Sequence, residues 1–566
     1  MHSELAPVEV QRPSPIPIGE VAARSGLPVA NVVPYGRFRA KVDHSLAFGP
    51  PRHGSRYILV TAINPTPAGE GKTVTTIGLS MALRRLGQEA VATLRQPSMG
   101  PVFGAKGGGT GGGRSEVVPP AELNLHLTGD FHAVAAANNL LAAAIDSALH
   151  HGEPAGIDPE RVTWRRVVDV NDRALRHVRI GLGGKENGVP RDTGFDITPA
   201  SEVMSVLGLA RDRADLRARL ARIVIGSTGD GRFVTAGELG VAGSMAALLG
   251  EALDPTLVQT CEGTPVLMHA GPFANISFGC SSVLGDALAL RQFDTVVTEA
   301  GFGADMGAEK FLNIKCRVTG RAPDAAVLVA TVRALKAHSG RFTLKVGAPL
   351  PPALLEEDLD ALRAGISNLR AQLRILAAHG VPVVVAINRF PSDSERELGL
   401  VDDVARESGA EDCAVSDVFA RGGEGGLALA EAVTRVASRG PARLRHAYEL
   451  DQPIEDKLRA LTTGVYGAGS IELSPLAREQ AQRYQELGYG GLPICMAKTQ
   501  YSLSHDPKQK GAPSGFAFPI REIRLQAGGG FLVPLAGDIM TMPGLGKSPA
   551  YRSIDVDAQG RVTGLH

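Results

Sequence analysis

At 566 residues, with 44% hydrophobic and 21% charged residues, the chain exceeds one hydrophobic core and implies about two to four packed units. Lys plus Arg and Asp plus Glu both number 59, so no global field draws nucleic acid or an anionic membrane, and any anion site must be local. Five cysteines without CxxC spacing argue against a disulfide framework or structural zinc and fit a reducing cytoplasm, while 68 glycines point to many tight turns.

Residues 1–13 carry Glu4 and Glu9 and no apolar run, so they do not read as a secretory signal. Residues 57–63 read as a strand and 74–86 as a helix. Between them stand Thr66, Pro67, Ala68, Gly69, Glu70, Gly71, Lys72 and Thr73. This is a P-loop in its proper strand–helix context: backbone amides converge on phosphate oxygens, Lys72 reaches the β- and γ-phosphates, and the Thr73 hydroxyl ligates Mg²⁺. Thr66 stands where the general pattern has its first glycine, so the loop is a variant. ATP or GTP binding is expected.

The next strand, 90–94, delivers Arg95 to the strand end, where open α/β sheets present ligand loops. A guanidinium there can clamp an acyl phosphate through two parallel hydrogen bonds, and Lys106 adds a second cation. The glycine run 107–113 is either a linker or a ligand-shaped loop, and its place inside a domain favours the loop. His126, Asp130 and His132 then fall within one short stretch suited to proton transfer or cation coordination, although the histidines also suit structural roles and Asp130 suits an N-cap. The Ala-rich segment 133–149 contains Asn138, Asn139 and Asp146, too short and polar to cross a bilayer.

From about 162 to 295 the texture changes, with an Arg-dense helix at 210–223 and an Ala/Leu helix at 242–253, as in an inserted subdomain. Strands follow at 295–298, 325–329, 381–387 and 413–416. Their ends carry Phe302 between two glycines, Phe390 and Phe419, three rings suited to stacking on a flat substrate. Helices at 454–471 and 476–487 and strands at 520–525 and 531–535 complete the chain. The alternation predicts an α/β fold: a P-loop NTPase-type, mostly parallel sheet with helices on both faces, an inserted subdomain and a C-terminal α/β domain. The expected division is 1–155 and 291–445 for the two parts of the nucleotide-binding domain, 156–290 for the insertion and 446–566 for the C-terminal domain.

Together the blocks TPAGEGKT, LRQPSMGPVFGAKGGGTGGG, LNLHLTGDFHAVAAANNLLAA, EGTPVLMHAGPFANI, TEAGFGADMGAEKF, VVVAINRFPSDSE, ARGGEGGLALAE, CMAKTQYSLSHDP and GDIMTMPGLGKSPA resemble formate–tetrahydrofolate ligases, also called formyltetrahydrofolate synthetases. The resemblance spans nearly the whole chain. It implies a three-domain, homotetrameric enzyme that uses ATP with Mg²⁺, formate and tetrahydrofolate, holds formyl phosphate near Arg95 and stacks the pterin on Phe390 and Phe419. Three positions depart from the family's usual residues: Phe419 replaces a tryptophan, Gln96 a glutamate and Phe278 a histidine. The glutamate is tied in the family to activation by K⁺ or NH₄⁺, so Gln96 with Asp130 marks the candidate monovalent-cation position.

On this reading formate attacks the γ-phosphate, N10 of tetrahydrofolate attacks the resulting anhydride, and His126 or His132 accepts the N10 proton. No side-chain nucleophile is needed. Three alternatives stand beside it: another P-loop ligase that activates a carboxylate, a P-loop ATPase switch with a protein partner, and a family member inactivated by its departures.

Overall fold

Alternation within single strands explains why the chain forms a sheet covered on both sides. In the computed structural model, which describes residues 14–104, 108–152, 155–345, 348–537 and 539–565, the strand Arg56–Ala62 (β1) sends Ile58, Val60 and Ala62 into one core and Tyr57 and Leu59 into another. Ala325–Ala330 (β5) divides the same way, as does Val383–Asn388 (β6), with Val327 and Val384 on one side and Leu328 and Val385 on the other. Strands this apolar on both faces belong to a parallel sheet under two helical layers. The first layer holds Lys72–Arg85 (α1), through Leu79 and Leu83, and Leu427–Ala437 (α7), through Leu429 and Val433. The second includes Val283–Gln292 (α3), Ser367–Ala378 (α5) and Glu395–Glu407 (α6). Each fully buried Val or Leu contributes about 1.5–3 kcal/mol, so the two cores together outweigh any single polar contact.

The other parallel strands are Ala90–Leu94 (β2), Pro265–Met268 (β3), Thr295–Glu299 (β4) and Asp412–Ser416 (β7). Across the sheet the order is β3-β2-β4-β1-β5-β6-β7. Antiparallel strands Thr256–Thr260, Ala40–Val42 and Val32–Pro34 extend it beyond β3. The strands 256–260 and 265–268 thus join the central sheet, although they lie inside the segment expected as an insertion. The chain runs outward from β1 to β2, then returns through β4 and crosses to β5. Its direction reverses at the carboxyl ends of β1, β2 and β4, where open α/β sheets hold ligands.

Residues 157–235 build small sheets of their own, among them Ile157–Val162 with Val224–Thr228 and Phe233–Thr235. The Arg-dense helix is Arg213–Arg222, shorter than expected because Asp212 caps it by accepting from Asp215 N at 2.7 Å. The Ala/Leu helix stops at Leu248 and the helix from Ile454 at Gly464, each short of its apolar pattern, with Gly250 and Gly467 close behind. The segment expected as one strand at 520–525 is two: Ala517–Ile520 pairs with Ser470–Leu473, and Glu522–Gln526 pairs with Phe531–Leu535. This last third has its own core around Tyr466, Phe518 and Leu458.

Candidate active site

The loop expected to cradle phosphate closes by side-chain bonds where the general pattern relies on glycine. Thr66 donates from its backbone N–H and hydroxyl to the Glu70 carboxylate at 2.6 and 3.1 Å, and its hydroxyl oxygen accepts from Ala68 N–H at 3.2 Å. Burial pushes the Glu70 carboxyl up, opposed by Lys72. Gly69 and Gly71 take φ values of 72° and 79°, and a Cβ on Gly71 would lie 2.3 Å from Asn388 Nδ2, which donates to Glu70 O at 3.0 Å. Gly71 precedes α1 without a side-chain cap, so the helix begins with its first amides available to an anion. Burial draws the Lys72 ammonium below its usual value, against the pull of Glu70 and Glu299.

Glu299, the last residue of β4, ties this loop to Arg95. The Thr73 hydroxyl donates to Glu299 Oε2 at 2.8 Å, and the Arg95 guanidinium lies 3.6 Å from Oε1. Arg95 also donates to Pro272 O at 3.4 Å, and its Nε is buried without a partner among the described residues. Gly301 makes room for it, since a Cβ there would lie 3.1 Å from Arg95 Nη1. Lys72, Thr73 and Arg95 are therefore gathered around one carboxylate. Sequence reasoning did not single out Glu299, although an acid closing a buried, otherwise uncharged strand was a usable signal.

The loop after Arg95 is gripped from outside the sheet. Asp169 accepts from the Ser98 hydroxyl at 2.6 Å and Met99 N–H at 2.9 Å, and Asn171 Nδ2 donates to Gly100 O at 3.0 Å. Burial pushes the Asp169 carboxyl up to about 6. Gln96 and Asp130 do meet: the Gln96 amide donates to Asp130 Oδ2. The same carboxylate holds the Lys41 ammonium at 2.7 and 2.8 Å. Asp130 is the first residue of the helix Asp130–His151 (α2) rather than its N-cap, and Gly129 with φ 82° occupies the cap.

His126 and His132 are exposed and bonded to each other, Nδ1 to Nε2 at 2.8 Å with stacked rings, beside Gln96 and Pro97 at a small cavity. Phe278 lies fully buried against Gly208, whose added Cβ would be 2.6 Å from the ring, so this departure fills core. Lys106 lies outside the described residues. A cavity of about 780 Å³ bounded by Trp164, Arg165, Phe233, Arg483 and Tyr484 contains none of the predicted site residues.

The three rings take different settings. Phe302 is half-buried with φ 63°, a left-handed backbone that costs a non-glycine residue energy and marks a constrained turn. Phe390 is half-buried under the guanidinium of Arg333, whose Cζ stands 3.5 Å from the ring centroid. Phe419 is 51% exposed. The glycine run packs beneath it: Arg114 N–H donates to Phe419 O at 2.8 Å, and a Cβ on Gly113 would meet that oxygen at 2.3 Å. From Gly108 onward the run is thus a fitted loop, anchored where Asn124 accepts from Gly109 N–H at 2.8 Å, and it includes a short strand, Gly111–Gly112. Close approach by neighbouring backbone offsets the glycine entropy that argued against rigid structure.

Asn64, which leads from β1 into the phosphate loop, sits in a buried network with the C-terminal third. Its Nδ2 donates to Asp305 Oδ1 at 2.9 Å, and its Oδ1 accepts from Asn368 and Gln372 at 2.8 and 2.9 Å. Lys498 Nζ completes the Asp305 carboxylate at 2.6 Å in a pair with no exposed side-chain surface. Such a pair is costly to break, because either charge left alone remains buried.

A family model described as formate--tetrahydrofolate ligase matches residues 8–566. A formate--tetrahydrofolate ligase of Roseiflexus sp. (strain RS-1) is 58% identical over 550 residues, covering 97% of each chain. Proteins of the same name from Chloroflexus aggregans and Paracoccus denitrificans are 54% and 53% identical, over 97% of this chain and 97% and 98% of their own.

Proposed function

We propose, for a chain that belongs to the formate–tetrahydrofolate ligase family and joins formate to tetrahydrofolate at the expense of ATP, that formyl phosphate forms in the crevice between Lys72 and Arg95. The observation that carries this reading is Glu299, whose two oxygens face Thr73 and Arg95 from opposite sides. It supports a common centre for nucleotide and acyl phosphate.

Formate is a poor electrophile until one oxygen becomes a leaving group. Its attack on the γ-phosphate forms a C–O–P anhydride and releases ADP. Loop amides at the start of α1 and the Lys72 ammonium take up the charge on the transferred phosphoryl group. Arg95 holds the formyl phosphate, with Gly301 leaving space on its near side. N10 of tetrahydrofolate then attacks the formyl carbon, phosphate departs, and the N10 proton passes to the His126–His132 pair, in which one ring nitrogen already accepts from the other. Phe390 and Phe419 stack the pterin, and Phe302 and Lys106 are assigned to the substrate side.

The Thr73 hydroxyl and Glu299 carboxylate are hard oxygen donors 2.8 Å apart, a set that fits Mg²⁺. When bound with ATP, the ion neutralises phosphate charge. Gln96 and Asp130 do not fit K⁺ or NH₄⁺: the Lys41 ammonium already neutralises Asp130, and the Gln96 amide turns its N–H toward that carboxylate. No step is assigned to a monovalent ion. A homotetramer in the cytoplasm completes the reading, and sedimentation of the purified protein tests the assembly.

The deciding assay follows 10-formyltetrahydrofolate with ATP, formate and tetrahydrofolate each omitted in turn. Lys72→Ala and Arg95→Ala are expected to abolish product while leaving the fold intact. Turnover like the wild type in either variant removes that residue from the mechanism.

A further inference from the structure

Arg333 stands at the start of the helix Val332–Ala337 (α4), directly after β5, and its side chain reaches two parts of the site at once. On one side Nη2 donates to Ala68 O at 2.7 Å and to Gly69 O at 3.3 Å, the turn of the phosphate loop. On the other its guanidinium lies over Phe390, 3.5 Å from the ring centroid. Its Nε is buried without a hydrogen-bond partner among the described residues, and the Glu70 and Asp393 carboxylates add electrostatic attraction to the contacts named.

From this bridge we propose that Arg333 is a positioning residue that couples nucleotide and tetrahydrofolate binding. The proposal rests on the assignment of Phe390 to the pterin slot. A pterin stacked on the outer face of Phe390 presses the ring against the guanidinium and fixes its plane. A fixed plane fixes the donors to Ala68 O and Gly69 O, and these set the turn that leads to Gly71 and Lys72. Nucleotide on the loop acts in reverse, holding Arg333 and hence the ring in place before the pterin arrives. By linkage, each ligand must then tighten the other by the same factor. The planar fork suits the role: one face stacks on an aromatic ring while the edge donates to carbonyls, which an ammonium cannot do together.

The test is calorimetric titration of tetrahydrofolate into the full-length protein with and without MgATP, formate being left out so that no turnover occurs. In the wild type, MgATP is expected to lower the Kd for tetrahydrofolate by about fivefold or more, the usual lower range of coupling between sites. Arg333→Met should bring this ratio close to one, and Arg333→Lys should recover only part of it. An unchanged ratio in Arg333→Met, or a wild-type ratio of one, overturns the proposal. If the Met variant does not fold, a wild-type ratio in Arg333→Lys overturns it equally. Phe390→Ala separates the two ideas. Unchanged tetrahydrofolate affinity in that variant means the slot assignment has failed and takes the coupling with it. Weakened affinity there, with coupling intact in the Arg333 variants, leaves the slot standing and removes the coupling alone.

Discussion

The Thr73 hydroxyl donates to Glu299 Oε2 at 2.8 Å, on the carboxylate whose other oxygen faces Arg95. Replacing Glu299 with Gln keeps the shape and removes the charge between two cationic regions. We expect kcat to fall by about 10²–10³-fold, the usual loss when one preorganised electrostatic contact is removed, with a smaller change in the KM for ATP. Steady-state kinetics at saturating formate check it, and an unchanged kcat would refute the role given to this carboxylate.

Phe419 is half exposed above the glycine loop, with no large side chain needed to fill a core. A Trp in its place offers more stacking area to a flat ligand. Phe419→Trp should lower the KM for tetrahydrofolate by about two- to tenfold, matching the ~0.5–1.5 kcal/mol of an aromatic pair, and leave the KM for ATP unchanged. A rise in the KM for tetrahydrofolate shows that the ring is not in the slot.

Lys41, Asp130 and Gln96 form a buried group whose charges already cancel. Initial rates in potassium, ammonium and sodium salts of equal ionic strength should therefore agree. Gln96→Glu adds a second buried carboxylate facing a single ammonium and should make the rate depend on K⁺ or NH₄⁺. Strong potassium stimulation of the wild type contradicts the assignment of Lys41.

Glu202 is buried, accepts from Gly528 and Gly529 N–H at 2.7 and 3.2 Å, and has its carboxyl pushed up to about 7 by burial. In the unfolded chain it ionises near 4.5, so raising the pH from about 5 to 8 favours unfolding through this group. Glu202→Gln retains an acceptor and removes the ionisation. Denaturant unfolding should show the variant gaining stability relative to wild type by about 1–3 kcal/mol at pH 8, and much less at pH 5. A difference that does not change with pH rules this group out as the source.

The central sheet and the strand–loop–helix around Gly-Lys-Thr were legible because apolar runs and glycines report local physics: strand burial on both faces and a helix start without a side-chain cap. The strand ends fell within a residue or two of the residues expected, as for 57–63 against Arg56–Ala62. What the pattern missed depends on contacts distant in sequence. Glu299 lies 226 positions from Thr73, and nothing in spacing alone connects them. Arg333 resembles any cation on a helix until the fold sets it over Phe390. Asp130 looked like a cap because an acid precedes an alanine-rich helix, and only the approach of Lys41 from near the start of the chain reveals its ion pair. The glycine run looked pliable, and the backbone around Phe419 is what shapes it.

Because Asp305 receives its ammonium from Lys498, the buried network at Asn64 is unfinished until most of the polypeptide exists. A nascent chain stopped near residue 450 carries every phosphate-loop side chain, yet it leaves a carboxylate without its counter-ion beside Asn64. Ending the chain at that boundary should therefore leave the Asp305 carboxylate buried without its ammonium and loosen the network around Asn64, a loss that denaturant unfolding of the shortened protein would reveal.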